Sequence, residues 1–424
     1  MKKALILILA AAALVSCYRI ETDRTSIWDL KYEASDSHVG FSWYSRKNII
    51  TKADTTYFVG DAVSTGVERH LNDGTSMGVF GYFHPQYQDG GGNTQTGGWN
   101  DGQNDNHPNL FYNEQVSIAY NGSTNKYAYS YSNDRFWPKN VHDRISFIAY
   151  YPWNALNTSG HASKDKIVEP FLDSGYQRQG MVGFYYTVHS DANDQVDFMV
   201  SDLCLDQSKT LWEETSHAQG LTIGSEASAT ADKIGTVKFF FHHALSQVRI
   251  KSINFDTGGN DDVKVTVNYI VFNNVAVFGQ CIPVPDFSTT TATGRTTVTP
   301  TWPAGTLASS RPDYTSGVVA RACYDADSDT WNINNFLLMI PHQFFPGATI
   351  EVNFDVKRKK DAATGEYYQY KNNTLTAPLT TSAIYGWEAG RIYTYNITLD
   401  LKQIKVNANV EPWLDAGDDV IMDK

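Results

Sequence analysis

The sequence predicts an all-β protein composed of two β-sandwich domains with long surface loops. Apolar and polar residues alternate with a period of two through most of the chain, and no long stretch shows helical periodicity. The length of 424 residues exceeds that of a usual single domain. Aromatic residues make up 13% and hydrophobic residues 42% of the chain, which favours a folded protein over a disordered one.

The N-terminus predicts export and a lipid anchor. Two lysines, Lys2 and Lys3, precede an apolar run over residues 4–15 that is shorter than a membrane-spanning helix and is typical of a secretory signal. The run ends in Leu14-Val15-Ser16-Cys17, the pattern of a bacterial lipobox. Residues 1–16 are therefore expected to be a signal peptide and Cys17 the lipidated first residue. The alternative is an ordinary signal peptide with an incidental cysteine.

In the first half of the chain, a hairpin and a core strand are predicted. Residues 116–120 and 127–131 alternate on either side of the turn signal Asn121-Gly122-Ser123 and predict a hairpin. Residues 145–151 are almost all apolar and end at Pro152, which predicts a core strand.

The second half contains four further strand signals. Residues 237–250 change their apolar face near Ala244-Leu245-Ser246, which predicts a strand break or bulge. Val263, Val265, Val267, Tyr269 and Val271 are expected to share one face of a strand. Residues 336–340 form an apolar run before Pro341, and residues 393–401 alternate regularly.

Composition suggests where the two domains meet. Residues 217–232 contain few large apolar side chains, so we expect an N-terminal sandwich over residues 53–230 and a C-terminal sandwich over 231–424. Residues 88–109 are rich in Gly, Asn and Asp and are expected to form a long surface loop.

No metal, cofactor or catalytic site is predicted. Asp101, Gln103 and Asp105 resemble the start of an EF-hand loop, but Asn106 and Tyr112 replace its required Gly and Glu. The adjacent His242 and His243 would point to opposite faces of a strand, so a structural role is expected. No catalytic motif is recognisable, and we expect no enzymatic activity. The formal net charge of −12 argues against a nucleic-acid partner.

Three cysteines remain after Cys17. Cys204, Cys281 and Cys323 are widely spaced and form no CxxC pair, so buried thiols are expected, with one disulfide as the alternative. Trp99 lies in the glycine-rich segment and could provide a sugar-stacking platform if it were exposed, although most aromatic residues of an all-β protein belong to its core.

Eight segments, besides the lipobox, form a recognisable series along the chain. They are VGFS (39–42), TKA (51–53), GVFGYF (78–83), FWP (136–138), RISFIAYYP (144–152), VDFMVSD (196–202), FHHALS (241–246) and GWEAGRIY (386–393). In their order and spacing they resemble the fimbrillin-like (Mfa and FimA type) surface pilins of Bacteroidales, and the resemblance covers almost the whole chain.

The resemblance implies two sandwiches of transthyretin-like outline and a maturation pathway. Such subunits are exported as outer-membrane lipoproteins, cut by a trypsin-like protease after a basic residue, and polymerised by strand exchange into a cell-surface fimbrium. The expected partners are other fimbrial subunits, the protease, the outer membrane through the lipid, and a host or bacterial surface receptor. The alternative function is a surface glycan-binding lipoprotein of a polysaccharide-uptake system.

Residues 17–52 would be the removable leader. Val39, Phe41 and Trp43 alternate with small or polar neighbours and predict its first strand, which would be displaced on assembly.

Basic residues follow that strand. Cleavage after Lys52 would leave Ala53 as the first residue, and cleavage after Arg46 would leave Lys47. The family favours arginine, whereas the residue before Ala53 is lysine. Without cleavage, the protein would be a permanently tethered anchor subunit.

The C-terminal segment is the candidate donor strand. Ile404, Val406, Ala408 and Val410 alternate with polar residues, as in a half-buried strand. The alternative is an ordinary edge strand of the second sandwich. The position of the subunit at the tip, stalk or base stays open.

Overall fold

The computed structural model describes nineteen segments of the chain. They are residues 32–44, 75–99, 108–121, 126–154, 168–172, 182–189, 195–209, 213–216, 220–223, 235–256, 263–291, 294–309, 318–321, 324–325, 330–331, 336–360, 367–380, 384–400 and 404–412. Within these segments the chain is almost entirely extended, and the helices are two 3-10 turns, Phe287–Thr289 and Ala304–Thr306. No described helix is long and apolar enough to cross a membrane.

Up to His243, the described residues form sixteen strands. In chain order they are β1 (Ala34–His38), β2 (Gly40–Tyr44), β3 (Ser76–His84), β4 (Tyr87–Gln88), β5 (Thr94–Gln95), β6 (Phe111–Asn121), β7 (Lys126–Ser130), β8 (Phe136–Pro138), β9 (Arg144–Tyr151), β10 (Val168–Leu172), β11 (Val182–Thr187), β12 (Met199–Ser201), β13 (Leu203–Gln207), β14 (Glu213–Ser216), β15 (Gly220–Ile223) and β16 (Thr236–His243).

Fifteen more strands lie in the part of the chain described after His243. They are β17 (Ser246–Asp256), β18 (Val263–Asn273), β19 (Phe278–Pro285), β20 (Arg295–Thr296), β21 (Val298–Thr301), β22 (Val318–Arg321), β23 (Tyr324–Asp325), β24 (Thr330–Trp331), β25 (Leu337–Met339), β26 (His342–Gln343), β27 (Thr349–Lys359), β28 (Tyr367–Pro378), β29 (Gly386–Trp387), β30 (Arg391–Asp400) and β31 (Ile404–Pro412).

The largest sheet has nine strands in the order β2-β16-β12-β9-β3-β6-β7, with β13 and β20 attached beside β9. The predicted core strand and hairpin are confirmed as β9 and as the antiparallel pair β6–β7. Two glycines in β3 allow close side-chain packing. A Cβ on Gly78 would lie 2.0 Å from the Tyr150 ring, and one on Gly81 would lie 2.6 Å from the Phe111 ring.

A second sheet, β10-β11-β19-β21, covers one face of the nine-stranded sheet. The ring centroids of Tyr150 in β9 and Phe184 in β11 are 4.7 Å apart, and Phe184 also contacts Phe198 at 5.3 Å. All three rings are buried. Alternate residues of β9, such as Phe147 and Tyr151, belong to a separate buried cluster on the other face. Both faces of the sheet are therefore covered, which explains the nearly continuous apolar sequence of β9.

The predicted break at residues 244–246 is confirmed, because β16 ends at His243 and β17 begins at Ser246. β16 completes the nine-stranded sheet, whereas β17 belongs to another sheet, β25-β17-β30-β31. The intervening Ala244 and Leu245 are fully buried in a cluster that extends from Phe80 to Leu399. The chain thus passes between sheets through the core. The division into two domains near residues 217–232 stays a prediction.

The sheet β25-β17-β30-β31 faces the sheet β22-β18-β27-β28. Phe272 of β18 contacts Tyr395 of β30, with ring centroids 5.9 Å apart. The expectation that five alternate residues of β18 share one face is wrong. The pairing with β27 shifts between Val267 and Tyr269, so that Val267, Ile270 and Phe272 are buried. A β-bulge reverses the faces there.

Candidate functional site

β2 is an edge strand of the nine-stranded sheet. It pairs in parallel with β16, from Gly40 opposite Thr236 to Tyr44 opposite Phe240. Among the described residues, β16 is the one strand to which β2 is paired. The departure of β2 itself would therefore break this pairing alone, whereas removal of the whole leader would also break the pairing of β1 with β8.

Two side chains anchor the start of this strand. Val39 is 1% exposed and Phe41 is 4% exposed. The Phe41 ring lies against aromatic rings from four different strands or their ends, with centroid distances of 5.3 Å to Phe111, 5.6 Å to Tyr131, 5.8 Å to Phe147 and 5.7 Å to Phe239. These rings form the walls of an apolar groove that the strand fills, which we call the β2 groove.

Backbone contacts hold the strand at its N-terminal end. The Val39 N–H donates to the Arg135 carbonyl and the Gly40 N–H donates to the Gly235 carbonyl, both at 2.9 Å. The Tyr131 hydroxyl donates to the Val39 carbonyl at 2.8 Å. Burial raises the pKa of Tyr131 to about 12, so the hydroxyl keeps its proton at neutral pH. Because Tyr131 follows β7, this bond joins the two opposite edges of the sheet.

Gly235 occupies a position that requires glycine. Its φ is 74°, in the left-handed region, and a Cβ there would lie 2.6 Å from the Trp137 Nε1. The same Trp137 Nε1 donates to the Gly235 carbonyl at 2.9 Å. That carbonyl also accepts from the Gly40 N–H. Trp137, within the FWP segment, thus positions the backbone that receives β2.

The structure tests part of the predicted maturation site. Val39 and Phe41 are buried as expected, and Trp43 lies in β2, although its side chain is outside the described residues. Cys17 and all four residues at the predicted cleavage points also lie outside them: Arg46, Lys47, Lys52 and Ala53. Lipidation and cleavage stay predictions.

The candidate donor strand is β31, the edge strand next to β30. The two strands are antiparallel, with Leu399 opposite Ile404, Ile397 opposite Val406, Tyr395 opposite Ala408 and Tyr393 opposite Val410. All four β30 partners are buried. Val410 is nevertheless 48% exposed. This pairing agrees with an edge strand, and its transfer to another subunit stays a prediction.

The two adjacent histidines contact different carboxylates. His242 Nε2 is 2.6 Å from Asp202 Oδ1, and His243 Nδ1 is 2.9 Å from Asp197 Oδ2. His243 and Asp197 are fully buried, and Asp202 also accepts from the Val298 N–H at 3.0 Å. The histidines therefore connect strands of the core. In the part of the chain that the structure describes, no three His, Cys, Asp or Glu side chains are grouped to hold a metal ion.

The structure also locates the other singled-out residues. Cys204 and Cys281 are buried, and burial raises the pKa of the Cys281 thiol. Cys323 and the Asp101–Asp105 stretch lie outside the described residues. Trp99 is 7% exposed and packs edge-on against Tyr82, so a sugar-stacking platform at Trp99 is contradicted by its burial. The predicted loop over residues 88–109 contributes this ring to the core.

Comparison with known protein families decides the classification. A model of the fimbrillin-like family matches residues 89–413, which is most of the chain. The chain belongs to the fimbrillin-like family. The earlier resemblance is thereby confirmed, and the all-β prediction agrees with it.

Two relatives illustrate how this fimbrillin-like protein compares. The fimbrium subunit Fim1C of Phocaeicola vulgatus is 22% identical over 400 residues, which cover 86% of this chain and 91% of the relative. The crystal structure of a fimbrial protein from Bacteroides vulgatus covers 89% of this chain and 100% of its own, with 19% identity and a TM-score of 0.51. At that identity the structural similarity shows a common fold.

Sequence reasoning missed the residues that receive β2 in this fimbrillin-like protein. The parallel pairing joins segments almost 200 positions apart in the chain, and no local pattern indicates such a partner. Phe147 and Phe239 lie in predicted strands, whereas Phe111 precedes the predicted hairpin, and no local pattern shows that the three rings converge on Phe41. The sequence did indicate Tyr131, because this residue continues the alternation of tyrosines in the predicted hairpin.

Proposed function

We propose that this protein is a structural subunit of a cell-surface fimbrium that supports adhesion and is assembled by strand exchange after export as a lipoprotein. Membership of the fimbrillin-like family and similarity to a fimbrium subunit support the fimbrial role. The observation that carries the assembly mechanism is β2, an edge strand whose buried anchors fill an aromatic groove.

Removal of β2 would create an acceptor. The strand leaves behind the β2 groove and the unpaired edge of β16, both of which favour binding of another extended segment. Burial of the Val39 and Phe41 side chains stabilises the protein by roughly 1.5–3 kcal/mol each, so their removal exposes an apolar groove at a cost of about 3–6 kcal/mol. An incoming strand with comparable anchors regains that free energy in the neighbouring subunit.

A trypsin-like protease would remove the strand by cutting after Lys52 or Arg46. Both residues follow β2 in the chain. Cleavage at either point separates residues 17–46 or 17–52 from the rest of the protein, so that β2 is no longer covalently linked to the sheet. The lipid at Cys17 would stay with the removed segment. Cleavage would thus release the subunit from the outer membrane and open its groove in a single step.

β31 would supply the donor. As an edge strand it is paired with β30 alone among the described residues, and its apolar residues alternate at every second position. Four apolar anchors at roughly 1.5–3 kcal/mol each would contribute about 6–12 kcal/mol before ordering costs. Because donor and groove lie on different parts of the chain, the contact is head-to-tail, and repeated exchange extends an open filament as long as its rotation does not close a ring.

The same proposal accounts for the remaining properties of the protein. It requires no catalysis, cofactor or nucleic acid. Its partners would be other fimbrial subunits, the maturation protease, the outer membrane through the lipid, and a receptor on a host or bacterial surface. The two pairs of facing sheets would correspond to the two domains of the subunit, and β19, β20 and β21 return to the first pair after the chain has passed through Ala244 and Leu245.

The N-terminal residue of the protein recovered from sheared cell surfaces tests the proposal. We expect Ala53, or Lys47 if the protease requires arginine. Lys52→Ala and Arg46→Ala should each abolish one of these products, and the double variant should leave the groove filled and prevent polymerisation. Lys139→Ala is the matched control, since Lys139 is exposed but lies far from β2 in the sequence.

Recovery of the Cys17 form alone would contradict maturation. It would instead support a permanently tethered anchor subunit or the glycan-binding lipoprotein of a polysaccharide-uptake system. The presence or absence of polymers on the cell surface then separates these two outcomes.

A further inference from the structure

The adjoining ends of β27 and β28 carry an exposed cluster of cations and tyrosines. Lys357, Arg358 and Lys360 are exposed at the end of β27. At the start of β28, the exposed fractions are 42% for Tyr367, 51% for Tyr368 and 56% for Tyr370. We call residues 357–360 and 367–371 the basic–tyrosine ribbon. Its tyrosines account for three of the seven large apolar or aromatic side chains that are strongly exposed within the described residues.

The register places cations and rings on both faces of this ribbon. Arg358 is opposite Tyr368, and Lys359 is opposite Tyr367. Directly opposite residues of antiparallel strands share a face, while neighbours in sequence alternate. One face therefore combines Arg358 with Tyr368 and Tyr370, and the other combines Lys357 and Lys359 with Tyr367. Lys360 Nζ also lies 5.7 Å from the centroid of the Tyr368 ring.

The net charge of the ribbon is opposite in sign to that of the whole protein. Lys357, Arg358, Lys359, Lys360 and Lys371 are cationic, whereas the whole chain has a formal charge of −12. The connection between the strands adds the acidic Asp361 and Glu366, which leaves the ribbon and its connection positive. A basic surface on an acidic protein selects an anionic partner.

The outer edge of β28 is a poor template for an added strand. The pairing of β27 with β28 shifts between Phe354 and Val356, and Asn372 adopts a positive φ of 55°. The Asp355 carboxylate accepts from the Asn372 N–H at 2.8 Å and fixes this irregularity. Bulges and edge lysines oppose the lateral pairing of strands. The faces of the ribbon, rather than its backbone edge, are therefore available to a ligand.

We propose that the basic–tyrosine ribbon binds an acidic polysaccharide, with its tyrosine rings packed against sugar rings and its Lys and Arg side chains paired with carboxylate or sulfate groups. Tyrosine provides a flat apolar surface with a polar edge, which suits a sugar ring. Charge-assisted hydrogen bonds from Lys and Arg suit the anionic substituents. This inference rests on the adhesive part of the proposed function, for which it supplies a ligand class.

Affinity electrophoresis of the purified full-length protein tests the site. Native gels would contain polygalacturonate or chondroitin sulfate as acidic polysaccharides, dextran as a neutral one, and poly-glutamate as a polyanion without sugar rings. The variants are Tyr368→Ala/Tyr370→Ala and Arg358→Gln/Lys360→Gln, which change the rings and the cations of the same face. Tyr385→Ala is the matched control, because Tyr385 is 65% exposed outside the ribbon.

We expect at least one acidic polysaccharide to retard the wild-type protein, and dextran and poly-glutamate to have little effect. The tyrosine double variant should lose about tenfold or more in apparent affinity, corresponding to about 1.4 kcal/mol. The Arg358/Lys360 double variant should lose the salt-sensitive part of the retardation. Tyr385→Ala should behave as wild type.

Equal retardation by poly-glutamate would overturn the assignment in favour of an acidic protein partner. The assignment would also be overturned if neither acidic polysaccharide retarded the protein, or if the ribbon and control variants behaved alike. The lysines would then serve to protect the strand from edge-to-edge aggregation. The measurement uses monomers, so a failure of strand exchange does not affect it. Likewise, a protein that binds no acidic polysaccharide could still polymerise by strand exchange.

Discussion

Replacing Phe41 with alanine is expected to lower the free energy of unfolding of the uncut protein by about 3 kcal/mol. Truncation of a buried phenylalanine costs about 3–5 kcal/mol. The Phe41 ring is 4% exposed and contacts four aromatic rings. We expect the lower end of the range because an edge strand with one paired neighbour can move inward and partly fill the cavity. Urea denaturation followed by tryptophan fluorescence measures the change.

The same substitution should loosen β2 before the rest of the protein unfolds. A loss of about 3 kcal/mol raises the population of the open state on the order of a hundredfold. Amides of Thr236–His243 that donate to β2 should therefore exchange with solvent faster by up to that factor. Val141→Ala is the control, because Val141 is 78% exposed and should change stability by less than about 0.5 kcal/mol.

A loss below about 1 kcal/mol for Phe41→Ala, or unchanged exchange in β16, would refute the reasoning. Either result would mean that Phe41 does not anchor β2 in solution. The aromatic groove would then not be a site that the strand occupies before assembly.

Three further changes test separate parts of the account. Cys17→Ala should abolish labelling with a radioactive fatty acid, and unchanged labelling would exclude lipidation there. The double variant Val406→Asp/Val410→Asp should prevent polymerisation while the monomer still folds, since each charge buried in the acceptor groove costs several kcal/mol. Filaments formed by this variant would exclude β31 as the donor. A monomer that fails to fold would indicate that β31 is an ordinary edge strand of its own domain. Gly78→Ala should destabilise the protein by about 1–3 kcal/mol, because its Cβ would lie 2.0 Å from the Tyr150 ring, and an unchanged melting temperature would contradict this packing.

Local patterns were sufficient for several strands. The period-two alternation of residues 116–131 predicted the β6–β7 hairpin, since its partners are close in the chain and a short turn sets their register. The apolar run over residues 145–151 predicted a core strand because few other environments accommodate such a segment. The change of face near Ala244 predicted a break, because side chains alternate strictly along a strand.

The same reasoning failed where the backbone departs from regular alternation. The valines of β18 alternate without interruption, yet the bulge between Val267 and Tyr269 turns Ile270 and Phe272 inward instead. Trp99 lies among glycines and polar residues, yet it is buried against Tyr82. In both cases, large side chains are buried by contacts with distant parts of the chain, and this burial determines their orientation more strongly than the local sequence pattern does.

The sequence by itself determined the fold class, the family and the identity of Val39 and Phe41 as inward-facing residues of a short strand. These properties depend on residue types and spacing within about ten positions. Only the tertiary structure decided that β2 is an edge strand, that it runs parallel to β16, and that Tyr131 bonds to the Val39 carbonyl. The physical reason is that pairing between distant strands depends on sheet order and curvature, to which every strand contributes, and no single segment encodes either.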